Sequence, residues 1–498
     1  MVVMDYRNGQ VTAIVGGREK NGDLVFNRAT QALRQPGSCF KVLAAFAPAL
    51  DLGVAMPGSF YLDEPLEFSD GWAPGNWYGT DPEDYRGYAT IRDGVKDSLN
   101  IIATKALLDV GVDNAFSYLE NFGFTTLEGG VNNNGLTDKG GSLALGGITN
   151  GVSTLELTAA YSAIANEGVY NKPIFYTKVL DHDGNVIIDH TLNEGRRVLK
   201  ETTAYMVTEM MKDVITSGTG GLARLNGITV AGKTGTTSDD KDLVFAGYTP
   251  YYCAGVWMGY DTPKRINYDK SYHLLLWKDV MTKIHEGLPN QNIMEKPSGL
   301  STVSICAATN AAPTEICGSD YYSAFNHYPK STSSDLCETG FTTETICEAH
   351  RMFQICKVCG KVASTSTSIF ETMDVVLAVD ESNNIINLPE TMKDAIKNGT
   401  EIPSGGTTED GKELPLYINL SETCGGTVAH IIDGINDSSI FDSGILNPDD
   451  PFFEFPQLDL FPEDEEDEEE IEEEPVIPIP LPSTPVVPEN NDGGSIFG

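Results

Sequence analysis

The sequence predicts an α/β fold over its first 290 residues, then a small Cys-rich β module, a poorly defined stretch and a disordered tail. Three observations carry this. Strand-period and helix-period patterns interleave up to about Pro289. Cys306, Cys317, Cys337, Cys347, Cys356 and Cys359 crowd together, whereas only Cys39 and Cys253 lie in the first 300 residues. No Lys or Arg follows Lys412, and the segment from Asp449 onward holds an acidic run leading into a proline-rich one.

The length of 498 residues allows two to four domains at about 100–200 residues each. Hydrophobic residues make up 40 %, enough for a sizeable core, so global disorder is excluded. The net charge of −39 argues against nucleic-acid binding, which needs clustered cations. No apolar run is long enough to span a bilayer, and MVVMDYRNGQ lacks the basic-then-apolar layout of a signal peptide.

Taken in order, VVMDYRNGQVTAIVGG alternates around Asn8-Gly9 and predicts a hairpin. SCFKVLAAFAPAL predicts a helix with Phe40, Leu43, Ala44 and Ala47 on one side, which Pro48 must bend or end. Residues 90–122 and 151–167 carry helical periodicity, and ETTAYMVTEMMKDVI buries Tyr205, Met206, Met210 and Val214 on one face. GITVAGKTGTT predicts a strand. LVFAGYTPYYCAGVWMGY predicts a hairpin turning at Thr249-Pro250, and a closing helix carries Leu274, Trp277, Met281 and Ile284. Residues 291–365 form the Cys-rich module. In it VSICAATNAAPTEIC resembles FQICKVCGKVASTS, a weak repeat that aligns Cys306 with Cys356. Residues 366–448 are poorly defined, and 449–498 are read as a solvated tail, partly polyproline II.

Three short elements carry chemistry in combination: Ser38-Cys39-Phe40-Lys41, Ser98-Leu99-Asn100 and Lys233-Thr234-Gly235-Thr236. Alone, each is a common surface turn or strand end. A serine hydroxyl needs a base before it attacks a carbonyl. Lys41, three residues on, meets Ser38 on one helix face. At its ordinary pKa of about 10.4 it is protonated and cannot be that base. Burial and a second ammonium, from Lys233, would lower that pKa. Ser38 at a helix start and Thr236 on a strand edge would supply two N–H groups for an oxyanion. Ser98 would relay protons, and Asn100 would hold Lys41 and a substrate amide. Lys233 and Thr234 suit a carboxylate-ended peptide.

Together these elements resemble the set shared by serine β-lactamases and penicillin-binding proteins. FNRATQALRQPGSCFK, YRGYATIRDGVKDSLN, SLALGGITNGVSTLELTAAYSAIANEGVY and AGKTGTTSDDKDLVFAGYTP are similar to stretches of the transpeptidase domain of class A penicillin-binding proteins, over Met1 to about Pro289. The resemblance implies an antiparallel sheet flanked by helices. It also implies a D,D-transpeptidase that cross-links peptidoglycan stem peptides through an acyl-enzyme on Ser38. Lys41, Ser98 and Asn100 would be catalytic, and Lys233, Thr234, Gly235 and Thr236 would bind substrate and the oxyanion. The implied partners are D-Ala–D-Ala donor peptides, an amine acceptor and β-lactams, on the extracytoplasmic face of the membrane, with no cofactor and no metal.

Class A members usually start with a membrane anchor and a glycosyltransferase domain. Neither stretch is in this sequence, so it is read as a probable fragment and glycan polymerisation is not assigned to it. Cys39 and Val42 depart from the family's small polar residue and proline, and Cys39 is read as a buried helix residue. The alternatives are a D,D-carboxypeptidase or β-lactamase on the same scaffold, or a non-catalytic β-lactam sensor or wall-binding scaffold. No E-x-x-L-N segment between Ser98 and Lys233 supplies the deacylating glutamate of a β-lactamase. In the cysteine cluster, Cys347, His350, Cys356 and Cys359 have zinc-compatible spacing. An extracytoplasmic setting favours disulfides instead, with Cys306–Cys317 and Cys337–Cys347 as plausible pairs. His182, His273 and His285 show no catalytic pattern.

Overall fold

A five-stranded antiparallel sheet organises the computed structural model of the chain. Its order is Gln10–Ile14, Val2–Asp5, Cys253–Gly259, Asp242–Tyr248, Ala231–Thr236, so the first and last strands in sequence meet at its centre. The N-terminal hairpin turns at Asn8-Gly9 as predicted, with Gly9 at φ 77°. The structure describes residues 1–18, 25–69, 71–79, 84–191, 195–267, 269, 271–318, 332–341, 346–356, 361–364, 372–378 and 419–424. The expected tail of 449–498 and most of 366–448 lie outside the described residues.

Strand alternation gives the sheet two different faces. Val244, Ala246 and Tyr248 point into a large helical core, where Thr154–Ala165 and Glu201–Thr216 pack. Phe245, Ala254 and Val256 point the other way, onto Leu274, Trp277 and Met281 of the closing helix Tyr272–Ile284. The helix Thr154–Ala165 starts on a capping box in which Ser153 and Glu156 satisfy each other's backbone N–H groups.

The segment predicted to be one helix from Ser38 is three helical pieces in continuity. A 3-10 turn covers Gly37–Cys39, a wide π-type helix covers Lys41–Phe46, and an α-helical turn covers Ala47–Asp51. The expected irregularity at Pro48 takes the form of this widening. A proline has no N–H to give the carbonyl four residues back and its ring crowds that carbonyl, and a wider turn relieves both. All six residues of the π segment are buried.

The predicted helical region 90–122 is three helices, Ile91–Lys96, Asn100–Val110 and Val112–Asn121. The first ends in a C-terminal motif in which Leu99 N–H donates to the Gly94 carbonyl (3.0 Å). That motif demands a left-handed residue just before Leu99, and Ser98 takes it at φ 60°.

Beyond the sheet, Leu300–Cys306 and Thr332–Glu338 form an antiparallel hairpin that is tied to the helical core. Ile305 and Cys337 pack with Met56 and Phe60. Arg92 bonds both Asp213 and Asp335 at 2.6 Å, and Lys200 bonds Glu338 at 2.9 Å. A second sheet holds His350–Cys356 and Thr372–Ala378. The repeat aligned Cys306 with Cys356, and each closes a seven-residue strand, in separate sheets.

Candidate active site

The three motifs converge from three different elements on one open cleft of about 1130 Å³, lined by Ser38, Ser98, Asn100, Thr234 and Thr236 among others. The strand edge and the Ser38 turn touch backbone to backbone. A methyl group added at Gly235 would lie 2.3 Å from the Pro36 carbonyl oxygen and 3.0 Å from Cys39 Sγ. One added at Gly37, itself at φ 53°, would lie 2.8 Å from the Thr236 carbonyl oxygen. Only glycine allows this approach, which brings Ser38 beside the Thr236 strand edge.

The centre of the site is Ser98 Oγ. Lys233 Nζ donates to it at 2.8 Å and Lys41 Nζ at 3.3 Å. Lys41 Nζ also donates to the Ser98 carbonyl at 2.6 Å, and Lys233 Nζ to the Thr234 carbonyl at 3.1 Å. The left-handed turn at Ser98 thus presents both its carbonyl and its hydroxyl to Lys41. Both lysines are 0 % exposed. Burial, and secondarily the neighbouring Lys233, hold the Lys41 amine well below its ordinary pKa. Burial lowers Lys233 to about 8, with Cys39 and Asp97 opposing the shift.

Some expected contacts differ. Lys41 bonds Ser98, not Ser38; the 3-10 and π turns between them do not hold the two side chains in a hydrogen bond. Asn100 does not bond Lys41 either. Its side-chain amide donates to the Gly75 carbonyl, and its backbone N–H donates to Asn76 Oδ1 at 2.8 Å. Thr234 Oγ1 sits 2.8 Å from Thr219 Oγ1. Cys39 is fully buried with Sγ 3.3 Å from the Lys233 carbonyl, and burial pushes its thiol up to about 12, which fits a packing role. His285 bonds Thr249 Oγ1 (2.7 Å) and the Met281 carbonyl (2.6 Å), also a structural role.

Sequence reasoning missed the segment Trp72–Trp77 that closes one side of the cleft. Asn76 is buried and bonds Asp63 Oδ1 at 2.7 Å, while Trp77 is 65 % exposed with its Nε1 on the Asp97 carbonyl (2.9 Å). Two tryptophans in the polar stretch GWAPGNWYG were the available signal.

Residues 1–281 match the family described as penicillin binding protein transpeptidase domain. The chain belongs to that family. Penicillin-binding protein 1A of Clostridium perfringens (strain ATCC 13124) is 36% identical over 331 residues, covering 64% of this chain and 38% of that protein. Penicillin-binding protein 1F of Bacillus subtilis is 37% identical over 294 residues, covering 57% of this chain and 38% of that protein. The chain therefore spans about two fifths of the length of these penicillin-binding proteins. Among solved structures, PonA1 of Mycobacterium tuberculosis aligns with a TM-score of 0.51 at 27% identity, over 60% of this chain and 80% of that one. Penicillin-binding protein 1A of Haemophilus influenzae, at 22% identity and TM-score 0.56, covers 70% of this chain and 54% of that chain and shares the fold. The α/β fold with an antiparallel sheet is as the sequence predicted.

Among the described cysteines, the disulfide expected between Cys337 and Cys347 is not formed. Cys337 pairs in register with Ser301, its Sγ 3.3 Å from that hydroxyl, on the strand face that carries Ile305. Cys306 follows Ile305 and so points to the opposite face, where Cys317 and Cys347 gather. Cys306 and Cys317, the other expected pair, are neighbours there as thiols. The side chains of His350, Cys356 and Cys359, three of the four zinc-spaced residues, lie outside the described residues.

Proposed function

We propose that the chain is the serine D,D-transpeptidase part of a class A penicillin-binding protein, working on stem peptides outside the cytoplasmic membrane. The observation that carries this is the pair of buried amines sharing Ser98 Oγ in the cleft that Ser38 lines. Two cations with no carboxylate bonded to either among the described residues do not both stay charged in a buried site. Lys41, pushed down by burial and by the neighbouring Lys233, is the one that holds a lone pair.

In this reading Ser38 Oγ attacks the carbonyl of the D-Ala–D-Ala bond, and its proton passes to Lys41. The C–N bond breaks, D-Ala leaves with a proton returned through Lys41 and Ser98, and an ester remains on Ser38. The amine of a second stem then attacks that ester, forming the cross-link and restoring the hydroxyl. The N–H groups of Ser38 and Thr236 face the developing oxyanion. Asn100 binds the substrate amide through its remaining oxygen, and Lys233, Thr234 and Gly235 form the strand edge that takes the peptide with its terminal carboxylate. β-Lactams acylate Ser38 as mimics, in keeping with the structure of PonA1 in complex with penicillin V. No glutamate lines the cleft among the described residues, which favours transfer to an amine over a β-lactamase's water-activated deacylation.

The test is incubation with a stem pentapeptide ending in D-Ala–D-Ala and an amine-bearing acceptor. Cross-linked product with one D-Ala released per link is expected. Trimmed peptide alone would mean a carboxypeptidase, rapid penicillin turnover a β-lactamase, and a stable penicillin adduct with no peptide product a sensor. Ser38→Ala should abolish covalent labelling by fluorescent penicillin with the melting temperature held, since losing one half-exposed oxygen disturbs little packing. Undiminished labelling would move the nucleophile elsewhere.

A further inference from the structure

We propose that Cys306, Cys317 and Cys347 bind a soft divalent cation, zinc in the first place, through three thiolates. This site is independent of the transpeptidase reading. Nothing in the peptide chemistry uses it.

The three Sγ atoms lie within 4.8 Å of one another and all three residues are buried. They arrive from separate stretches of chain: the end of the strand Leu300–Cys306, the 3-10 turn Glu315–Gly318, and a segment whose Cys347 N–H donates to the Ala312 carbonyl at 2.8 Å. A tetrahedral zinc with Zn–S bonds of about 2.3 Å sets its sulfurs about 3.8 Å apart, so a small contraction brings three of its four ligands into place. A disulfide uses two sulfurs at about 2.0 Å and leaves the third without a task.

The surroundings treat the sulfurs as acceptors. Ala308 N–H points at Cys306 Sγ (3.4 Å) and Thr314 N–H at Cys317 Sγ (3.4 Å), with Thr314 Oγ1 also 3.3 Å from Cys317 Sγ. Donors aimed at sulfur are what metal-bound thiolates recruit from their outer shell. The turn that delivers one of them is fixed by two bonds, Cys306 N–H to the Ala311 carbonyl (2.8 Å) and Asn310 N–H to the Cys306 carbonyl (2.9 Å), and has Asn310 at φ 53°. Packing three thiols as plain small hydrophobes would need neither this turn nor these donors. Ala311 and Ala349 are buried against the three thiols. Binding releases one proton from each thiol: Zn²⁺ replaces three S–H protons and leaves a net charge of −1 before the fourth position is filled.

The experiment uses the full chain purified under reducing conditions without chelator. Zinc is measured by elemental analysis, removed with a chelator, and replaced by Co²⁺, whose thiolate charge-transfer absorption reports sulfur ligation. One equivalent of metal is expected at this site. Cys306→Ser, Cys317→Ser and Cys347→Ser should each weaken Co²⁺ binding there by more than about 100-fold. Cys337→Ser, on the other strand face, should not change it. Absence of a thiolate band in the wild-type chain overturns the site, and this readout stands even where a variant fails to fold. So does retention of the full band by all three variants. Peptide mapping of a second preparation, made without reductant and with free thiols blocked at lysis, that links Cys306 to Cys317 or Cys347 overturns it in favour of a disulfide.

Discussion

Two amines meet at Ser98 Oγ, at 3.3 and 2.8 Å, and three thiols meet within 4.8 Å past the end of the Leu300–Cys306 strand; both groups are buried. In the first, like basic groups crowd with no carboxylate bonded to either among the described residues, so in the proposed reading the site sheds a proton and gains a base. In the second, like acidic groups crowd beside N–H donors, so the site is suited to gain a cation. The cleft is open, while the three thiols are buried with Ala311 and Ala349 among their apolar neighbours. In the two proposals burial serves reactivity in one place and metal binding in the other, and the opening of the cleft to solvent is what separates them.

The largest effect should come from removing the proposed base. Lys41→Met keeps the length of a buried side chain and removes the amine. Acylation by a fluorescent penicillin should fall by about 10³-fold, within the range for a lost general base. A fall of less than tenfold would take Lys41 out of the proton path and reduce the amine pair to a structural feature.

Lys233→Met isolates the coupling between the amines. Acylation should weaken by about 10²-fold, and the pH dependence should move in a stated direction. Lys41 is lowered by burial and then by Lys233, so losing Lys233 raises Lys41 toward its ordinary value. The limb of the acylation profile that rises with pH therefore shifts to higher pH. The same variant reports on stability. Lys233 titrates at about 8 when folded and near 10.5 when unfolded. The cost of burying its charge is full below about 8 and fades as pH rises toward 10.5, because the unfolded chain binds more protons across that window. Wild-type stability should gain on Lys233→Met over that interval in urea melts. An unmoved acylation profile would uncouple the two amines.

Much of this site could be read from the chain alone. Ser38, Lys41, Ser98, Asn100, Lys233, Thr234, Gly235 and Thr236 stand in three motifs whose residue types state their chemistry, and the structure gathers them around one cleft. The contacts among them were less legible. A spacing of three suggested that Ser38 and Lys41 meet, but Pro48 widens the helix behind them and Lys41 turns to Ser98. The left-handed Ser98 was hidden because it answers to the Leu99–Gly94 bond, not to its own preference. The pairing of Cys337 with Cys347 failed for a similar reason. Spacing along the chain does not reveal strand faces, and Cys337 lies on the face opposite Cys306.

The cleft is also held by its backbone. Gly235→Ala drives a methyl group against the Pro36 carbonyl and Cys39, so it should cost about 1–3 kcal/mol. Gly130→Ala, with nothing within 4 Å, should be close to neutral in the same thermal melts. Equal melting temperatures for the two variants would show that the strand and the Ser38 turn separate freely.

The smallest effect tests the backbone at Ser98. Ser98→Ala and Ser98→Gly both delete the hydroxyl that the two lysines share, so both should lose acylation to the same degree. They differ in how they tolerate φ 60°. Alanine keeps the Cβ that crowds the left-handed region, whereas glycine removes it, an advantage of about 1 kcal/mol despite the freer unfolded chain. Urea melts should therefore rank Ser98→Gly above Ser98→Ala by about that amount. The reverse order would mean that the turn relaxes once the hydroxyl is gone, and that the lysines, rather than the Leu99–Gly94 bond, hold Ser98 in its left-handed conformation.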